Sequence, residues 1–189
     1  MTIIKHFLCL ICFGTFLLSA QKTTLNLEKS TLKWTGEQIT SKIHYGSLQF
    51  KSGDVLFENG LITKGTFIVD MTTLSVEDLQ GSSKGKLEGH LKSDDFFSVE
   101  KFNESSIVIS SSSKIPNGLS VSGILTIKGT SHPIDFKMLL KDSSWVSYLT
   151  FDRSKYNVTY GSGSFFENLG DKLILDSIKL ETSLKFNYL

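Results

Sequence analysis

The sequence predicts an all-β fold, an antiparallel barrel interrupted once by a short helical plug. Apolar and polar residues alternate with period two along most of the 189-residue chain, as in strands wet on one face. Glycine, asparagine and aspartate punctuate that alternation at short intervals, as hairpin turns require. Only one stretch after residue 20 changes rhythm, 85–102, reading GKLEGHLKSDDFFSVEKF. There Leu87 and Leu91 sit four apart, on one face of a helical turn.

The first twenty residues stand apart from this pattern. Lys5 precedes the apolar run FLCLICFGTFLL, and Ser19, Ala20 and Gln21 follow it. A short basic head, an apolar run and a small residue before the cut predict a secretory signal peptide cleaved after Ala20. The run is too short to anchor in a bilayer. Lys5 is the only formal charge in this segment, so the remaining chain carries 19 basic and 19 acidic residues. A balanced charge gives no footing for a nucleic-acid partner. Cys9 and Cys12 both leave with the signal, without a convincing lipobox. What remains, residues 21–189, is expected to be one cysteine-free exported domain, periplasmic or secreted, held by core packing alone.

The elements follow in order. Leu32 and Trp34 share a parity, as do His44, Gly46, Leu48 and Phe50, and then Val55 and Phe57. Asn59-Gly60 turns the chain into Phe67, Val69 and Met71. The 85–102 plug comes next: Ser93 opens a second short turn, and Asp94 and Asp95 suit a helix start. Ser106 to Ser110 resume the strands, and the serine run 110–113 reads as a strand end and loop. Leu119, Val121, Gly123, Leu125 and Ile127 lead through KGTSHP into Ile134, Phe136, Met138 and Leu140, a hairpin. Trp145, Leu149 and Phe151 fit another strand. Ile174, Ile178, Leu180, Leu184 and Phe186 form the last, suited to pair with the first strand and close a barrel of about eight to ten strands.

With the apolar parity turned inward, two ionisable residues fall inside, His44 and Arg153. Arg153 is the only arginine and needs a partner, because an unpaired buried charge is costly. Asp95, Asp70, Asp152 or an anionic ligand group can serve. His44 is read either as a satisfied core histidine or as a ligand contact. No nucleophile elbow, zinc-protease helix or phosphate loop is present, and His44, His90 and His132 lie on different elements. No catalytic residue and no metal site is expected, and GSGS at 161–164 reads as a flexible loop.

Several stretches together resemble the YceI-like family of exported, lipocalin-like polyisoprenoid-binding proteins. They are HYGSLQFKSGDVLFENG, GTFIVDMTTLSV, LEGHLKSDDFFSVEKF, VSGILTIKGTSHPIDF and LTFDRSKYNVTYGSG. The likeness spans nearly all of the chain after residue 20, in order. It departs at Lys101-Phe102-Asn103, where the family often has a proline, and at Asn157, where it often has a glycine. The resemblance implies an extended lipocalin-like barrel whose tunnel holds an isoprenoid or similar amphiphile, with no other cofactor. Candidate lining residues are Trp34, Phe67, Met71, Leu91, Phe96, Phe97, Phe136, Met138, Ile178 and Leu180, with Arg153 and His44 toward a polar head. For each apolar residue the competing reading is ordinary core.

Three functions therefore compete. The first is an exported carrier or sequestering protein for a hydrophobic small molecule or lipid. The second is a surface interaction module using the barrel as scaffold, showing an exposed apolar patch at Tyr160, Phe165 and Phe166. The third is an enzyme using Asp94, Asp95 or His90 in one pocket. A homodimer stays open.

Overall fold

The computed structural model describes residues 20–187. The expected signal segment lies outside the described residues, apart from Ala20. Ten strands and one helix follow in chain order: β1 (Gln21–Leu25), β2 (Thr31–Glu37), β3 (Ile43–Glu58), β4 (Leu61–Val76), α1 (Gly81–Lys92), β5 (Glu104–Ile115), β6 (Gly118–Ile127), β7 (Thr130–Lys141), β8 (Ser144–Asp152), β9 (Ser177–Leu184) and β10 (Phe186–Asn187).

All pairings are antiparallel, and eight positions close into a ring, β3-β2-β9-β8-β7-β6-β5-β4 and back to β3. Strands β1 and β2 share one edge of β3: Thr23 pairs with Val55, and Leu32 pairs with Leu48. They are therefore one barrel strand broken at 26–30, and β10 continues β9 in the same way beside β1. The Ser30 hydroxyl accepts from the Lys185 backbone N–H at 3.0 Å, stitching the two breaks together. The terminal strand thus closes the barrel, as its one-faced pattern predicts.

Three hairpins turn on two consecutive residues with positive φ, as type I′ geometry requires. They are Asn59-Gly60 (54° and 74°), Lys128-Gly129 (50° and 71°) and Asp142-Ser143 (47° and 61°). Strands β3 and β4 run for 16 residues each and carry register shifts after Ser47, Phe50 and Leu56. Such bulges bend the long pair around the barrel and re-aim side chains.

Gly46 occupies a place no larger residue fits. A Cβ there would overlap the Ser75 carbonyl across the β3–β4 pair and press on the Trp34 ring. The Trp34 indole N–H donates to that same carbonyl at 3.2 Å. Gly46→Ala is expected to destabilise by about 1–3 kcal/mol, the usual range for overpacking. A lowered urea midpoint with an unchanged slope checks it.

The interior is packed solid at one end only. Leu25, Val55, Ile62, Leu119 and Met138 cluster there, with Phe57, Trp145 and Phe186 against them. At the other end α1 and the turns after it lie across the barrel. Leu91, Phe96 and Val99 pack on Met71, Leu74 and Val76.

Three expectations are corrected. The helix begins at Gly81, before the 85–102 stretch, and Ser93 is its C-cap, donating its N–H to the carbonyls of Gly89 and His90. Asp94 and Asp95 therefore start no helix, and Asp94 pairs with Lys101 at 2.6 Å in a tight turn. The serine run 110–113 lies inside β5, opposite 120–122 of β6, and the Ser112 hydroxyl bonds both backbone groups of Ile62. The GSGS segment is pinned, since Ser162 and Ser164 donate to Asp176 at 2.8 and 2.7 Å.

Candidate functional site

Between the packed end and the helical cap the barrel is hollow. The cavity measures about 610 Å3, inside the range that takes a lipid-sized or drug-sized molecule. Its wall comes from the alternate residues that the strand pleat turns inward: Leu32 and Trp34 on β2, Leu48 and Phe50 on β3, and Phe67, Val69 and Met71 on β4. Further round come Leu125, Phe136, Met138, Leu149, Phe151, Ile178 and Leu180. The cap adds Leu87, Leu91, Phe96 and Phe97. The wall carries little polarity, and the Ser105 hydroxyl is one polar lining atom without a partner.

Trp34, His44, Phe67, Met71, Leu91, Phe96, Phe97, Phe136, Met138, Ile178 and Leu180 all line this cavity. Arg153 does not. It opens a 3-10 turn (Arg153–Tyr156) where β8 has ended, so strand parity no longer aims it inward. Its side chain is 0% exposed and turns beneath the loop that follows. The guanidinium donates to the carbonyls of Val158 at 2.8 Å, Ile174 at 3.0 Å and Leu175 at 3.3 Å. Its ionic partner is Asp176 at 3.2 Å, and Asp95, Asp70 and Asp152 are not in that role. The same group lies 5.4 Å from the Phe96 ring centre, joining loop to cap. Burial lowers the pKa of this guanidinium.

Lys128 does comparable work from the β6–β7 turn. Its ammonium donates to the carbonyls of Phe96 at 2.8 Å, Asn157 at 3.0 Å and Asp94 at 3.3 Å. Burial lowers its pKa too. Lys128 thus holds the cap by its backbone carbonyls, Arg153 holds the neighbouring loop and meets the cap at Phe96, and neither cation lines the cavity.

The cavity opens at this capped end. Its exposed lining residues are Lys42, Ser83, Lys86 and Tyr160. They belong to the 38–42 hairpin, the first turns of α1 and the 157–176 loop, which frame the mouth. Strand parity did not mark them as lining, because Lys42 and Tyr160 lie in loops and Ser83 and Lys86 on α1. Just inside, the His44 ring meets Asp78 at 2.7 Å, tying β3 to the β4–α1 connection. Asp94 and Asp95 are not among the lining residues, so this cavity does not join them to His90. Among the described residues no cluster of three His, Cys, Asp or Glu side chains could hold a metal ion.

Burial of Asp78 by itself favours the neutral acid. Hydrogen bonds from the Tyr45 N–H and the His44 ring outweigh it and hold the pKa below 3.8. The shift is downward, so its stabilisation is complete above that value and is lost as acid protonates Asp78 below it. Asp78→Asn is expected to cost about 1.5–3 kcal/mol at neutral pH, the range for hydrogen bonds to a charged group. Urea unfolding across a falling pH series checks it: the gap between variant and wild type narrows as acid protonates Asp78.

A closed antiparallel barrel with an apolar hollow that opens at one end defines the class, a lipocalin-like barrel. The chain belongs to the YceI-like domain family, whose model matches residues 24–186. The fold is similar to that of BcnA from Burkholderia cenocepacia, with TM-score 0.64 and 18% identity, covering 85% of this chain and 98% of that one. It is also similar to a polyisoprenoid binding domain from Saccharophagus degradans implicated in plant cell wall breakdown, with TM-score 0.58 and 12% identity over 90% of this chain and 100% of that one. A comparison with curated proteins found no match.

Proposed function

We propose that this protein is an exported carrier or sequestering protein that holds one long apolar amphiphile, of the isoprenoid class, in the barrel. The apolar cavity carries this reading: it is blind at one end and opens at the other. A tail burying about ten CH2 groups gains about 8 kcal/mol, before the costs of association. The direction of binding follows from the wall. Phe67, Phe136 and Met138 lie toward the packed end, whereas Lys42, His44 and Lys86 stand at the mouth. The tail therefore goes in first and a polar head stays beside water. The Saccharophagus degradans structure, described as a polyisoprenoid binding domain, supports the choice of tail. A barrel serving only as scaffold would have no reason to stay hollow, since an empty apolar cavity costs stability. The protein acts without bond-making chemistry of its own, and its leader routes it to the periplasm or beyond.

The test is mass spectrometry of an organic extract of the protein expressed and exported in its own host. One lipid with a long branched tail is expected at near-stoichiometric amount. An extract without lipid, from protein whose interior is shown to be filled by its own side chains, overturns the proposal.

A further inference from the structure

Water-exposed apolar side chains gather at the mouth. Of the eleven large ones found exposed among the described residues, six are Ile39, Ile43, Tyr45, Tyr160, Phe165 and Phe166. All six lie on the β2–β3 hairpin or the 157–176 loop. The other five lie on the outer faces of β5 to β8 and at the 26–30 break. Phe165 and Phe166 are 56% and 51% exposed, adjacent rings left in water. The loop holds them out: both backbone N–H groups donate to the Ser162 carbonyl, and the Ser162 hydroxyl is anchored on Asp176. The Ile39 N–H donates to the Leu173 carbonyl at 2.9 Å, which joins the hairpin to that loop. Tyr160 packs against His90 with ring centres 4.4 Å apart, which joins the loop to α1. Hairpin, loop and helix thus make a continuous rim around the opening.

The rim carries charges of both signs, with Glu167, Asp171 and Lys172 exposed on the 157–176 loop, and its positive charges stand nearest the opening. Glu37 is engaged by Lys179 at 3.8 Å, and His44 by Asp78. Lys42 and Lys86 line the mouth, and neither forms a salt bridge among the described residues.

We propose that this rim seats on a lipid bilayer that carries anionic headgroups. Phe165, Phe166 and Ile39 enter the interfacial layer, where aromatic and aliphatic side chains gain most. Lys42 and Lys86 meet the headgroups. The proposal rests on the carrier reading and extends it, since the tail then passes between bilayer and barrel without crossing water. A passage through water would forfeit about 0.8 kcal/mol per CH2. A bilayer also suits the shape of the patch. The apolar residues surround a hole, and a protein surface laid across them would find nothing to pack on at its centre, where hot spots concentrate.

The experiment uses the exported protein and two vesicle preparations, phosphatidylcholine alone and phosphatidylcholine mixed with phosphatidylglycerol. The protein is expected to pellet with the mixed vesicles. The double variant Phe165→Ser, Phe166→Ser is expected to stay in the supernatant. It takes up a fluorescent isoprenoid from those vesicles at least tenfold more slowly, yet binds the same probe normally from cyclodextrin. Lys42→Glu with Lys86→Glu is expected to lose the preference for the mixed vesicles. Uptake by the phenylalanine variant at the wild-type rate overturns the proposal. So does a wild-type dimer in sedimentation velocity that this variant abolishes, or uptake that requires a membrane protein in the vesicles. Failure to bind the probe from cyclodextrin defeats the carrier reading instead, and pelleting still reads the rim by itself.

Discussion

Arg153→Met is expected to lower stability by about 3–5 kcal/mol, the usual result of breaking a buried ion pair from one side. Methionine keeps most of the apolar stem and removes the guanidinium. Three carbonyls, on Val158, Ile174 and Leu175, then lose their donor, and Asp176 loses its cation. In a domain of this size such a loss lowers Tm by roughly 10 °C. The damage should concentrate where the guanidinium reaches, so amide exchange is expected to rise first in the 153–176 loop and around Phe96. Adding Asp176→Asn to Arg153→Met is expected to return part of the loss, because the residual cost includes a charge without its partner. A drop below about 1 kcal/mol in urea unfolding would show that the clamp is dispensable. The loop would then owe its shape to Ser162 and Ser164.

The second large effect is on binding. Leu149 on β8 and Leu180 on β9 lie opposite one another in the sheet register, and both line the cavity. Leu149→Trp with Leu180→Trp places two indoles in the hollow. Isoprenoid affinity is expected to fall at least hundredfold, equivalent to about 2.7 kcal/mol. Stability should change by less than about 2 kcal/mol, because here the added rings enter empty space where overpacking usually forces neighbours apart. Fluorescence titration and thermal unfolding read the two quantities separately. Wild-type affinity in the doubly filled barrel would place the ligand somewhere else on the molecule.

The barrel was legible because each strand buries one face. Leu180 and Ile178 could be assigned inward from alternation alone, as could Phe136 and Met138. Closure was legible from the one-sided last strand, which indeed runs beside the first. The helix start was misplaced because Gly81, Ser82 and Ser83 are weak helix formers with no side-chain cap, so packing against β4 decides that boundary. Arg153 was misread for a single reason. Alternation holds only while the strand continues, and the chain leaves β8 one residue before it. Asp176 was not among the expected partners, since the pairing bridges 23 residues of irregular loop with no local signal. Lys42, Lys86 and Tyr160 were missed as lining for a related cause: the mouth is built from loops and the start of α1, whose arrangement is set by tertiary contacts.

Binding across isoprenoids of increasing length tests the hollow barrel most directly. Affinity is predicted to climb steeply as each unit adds buried CH2 groups, about 0.8 kcal/mol apiece at most. It should then level off once the tail fills the space down to Met138, and the plateau should shift to shorter tails in the tryptophan-filled variant. An affinity indifferent to tail length, in wild type and filled barrel alike, would contradict the account.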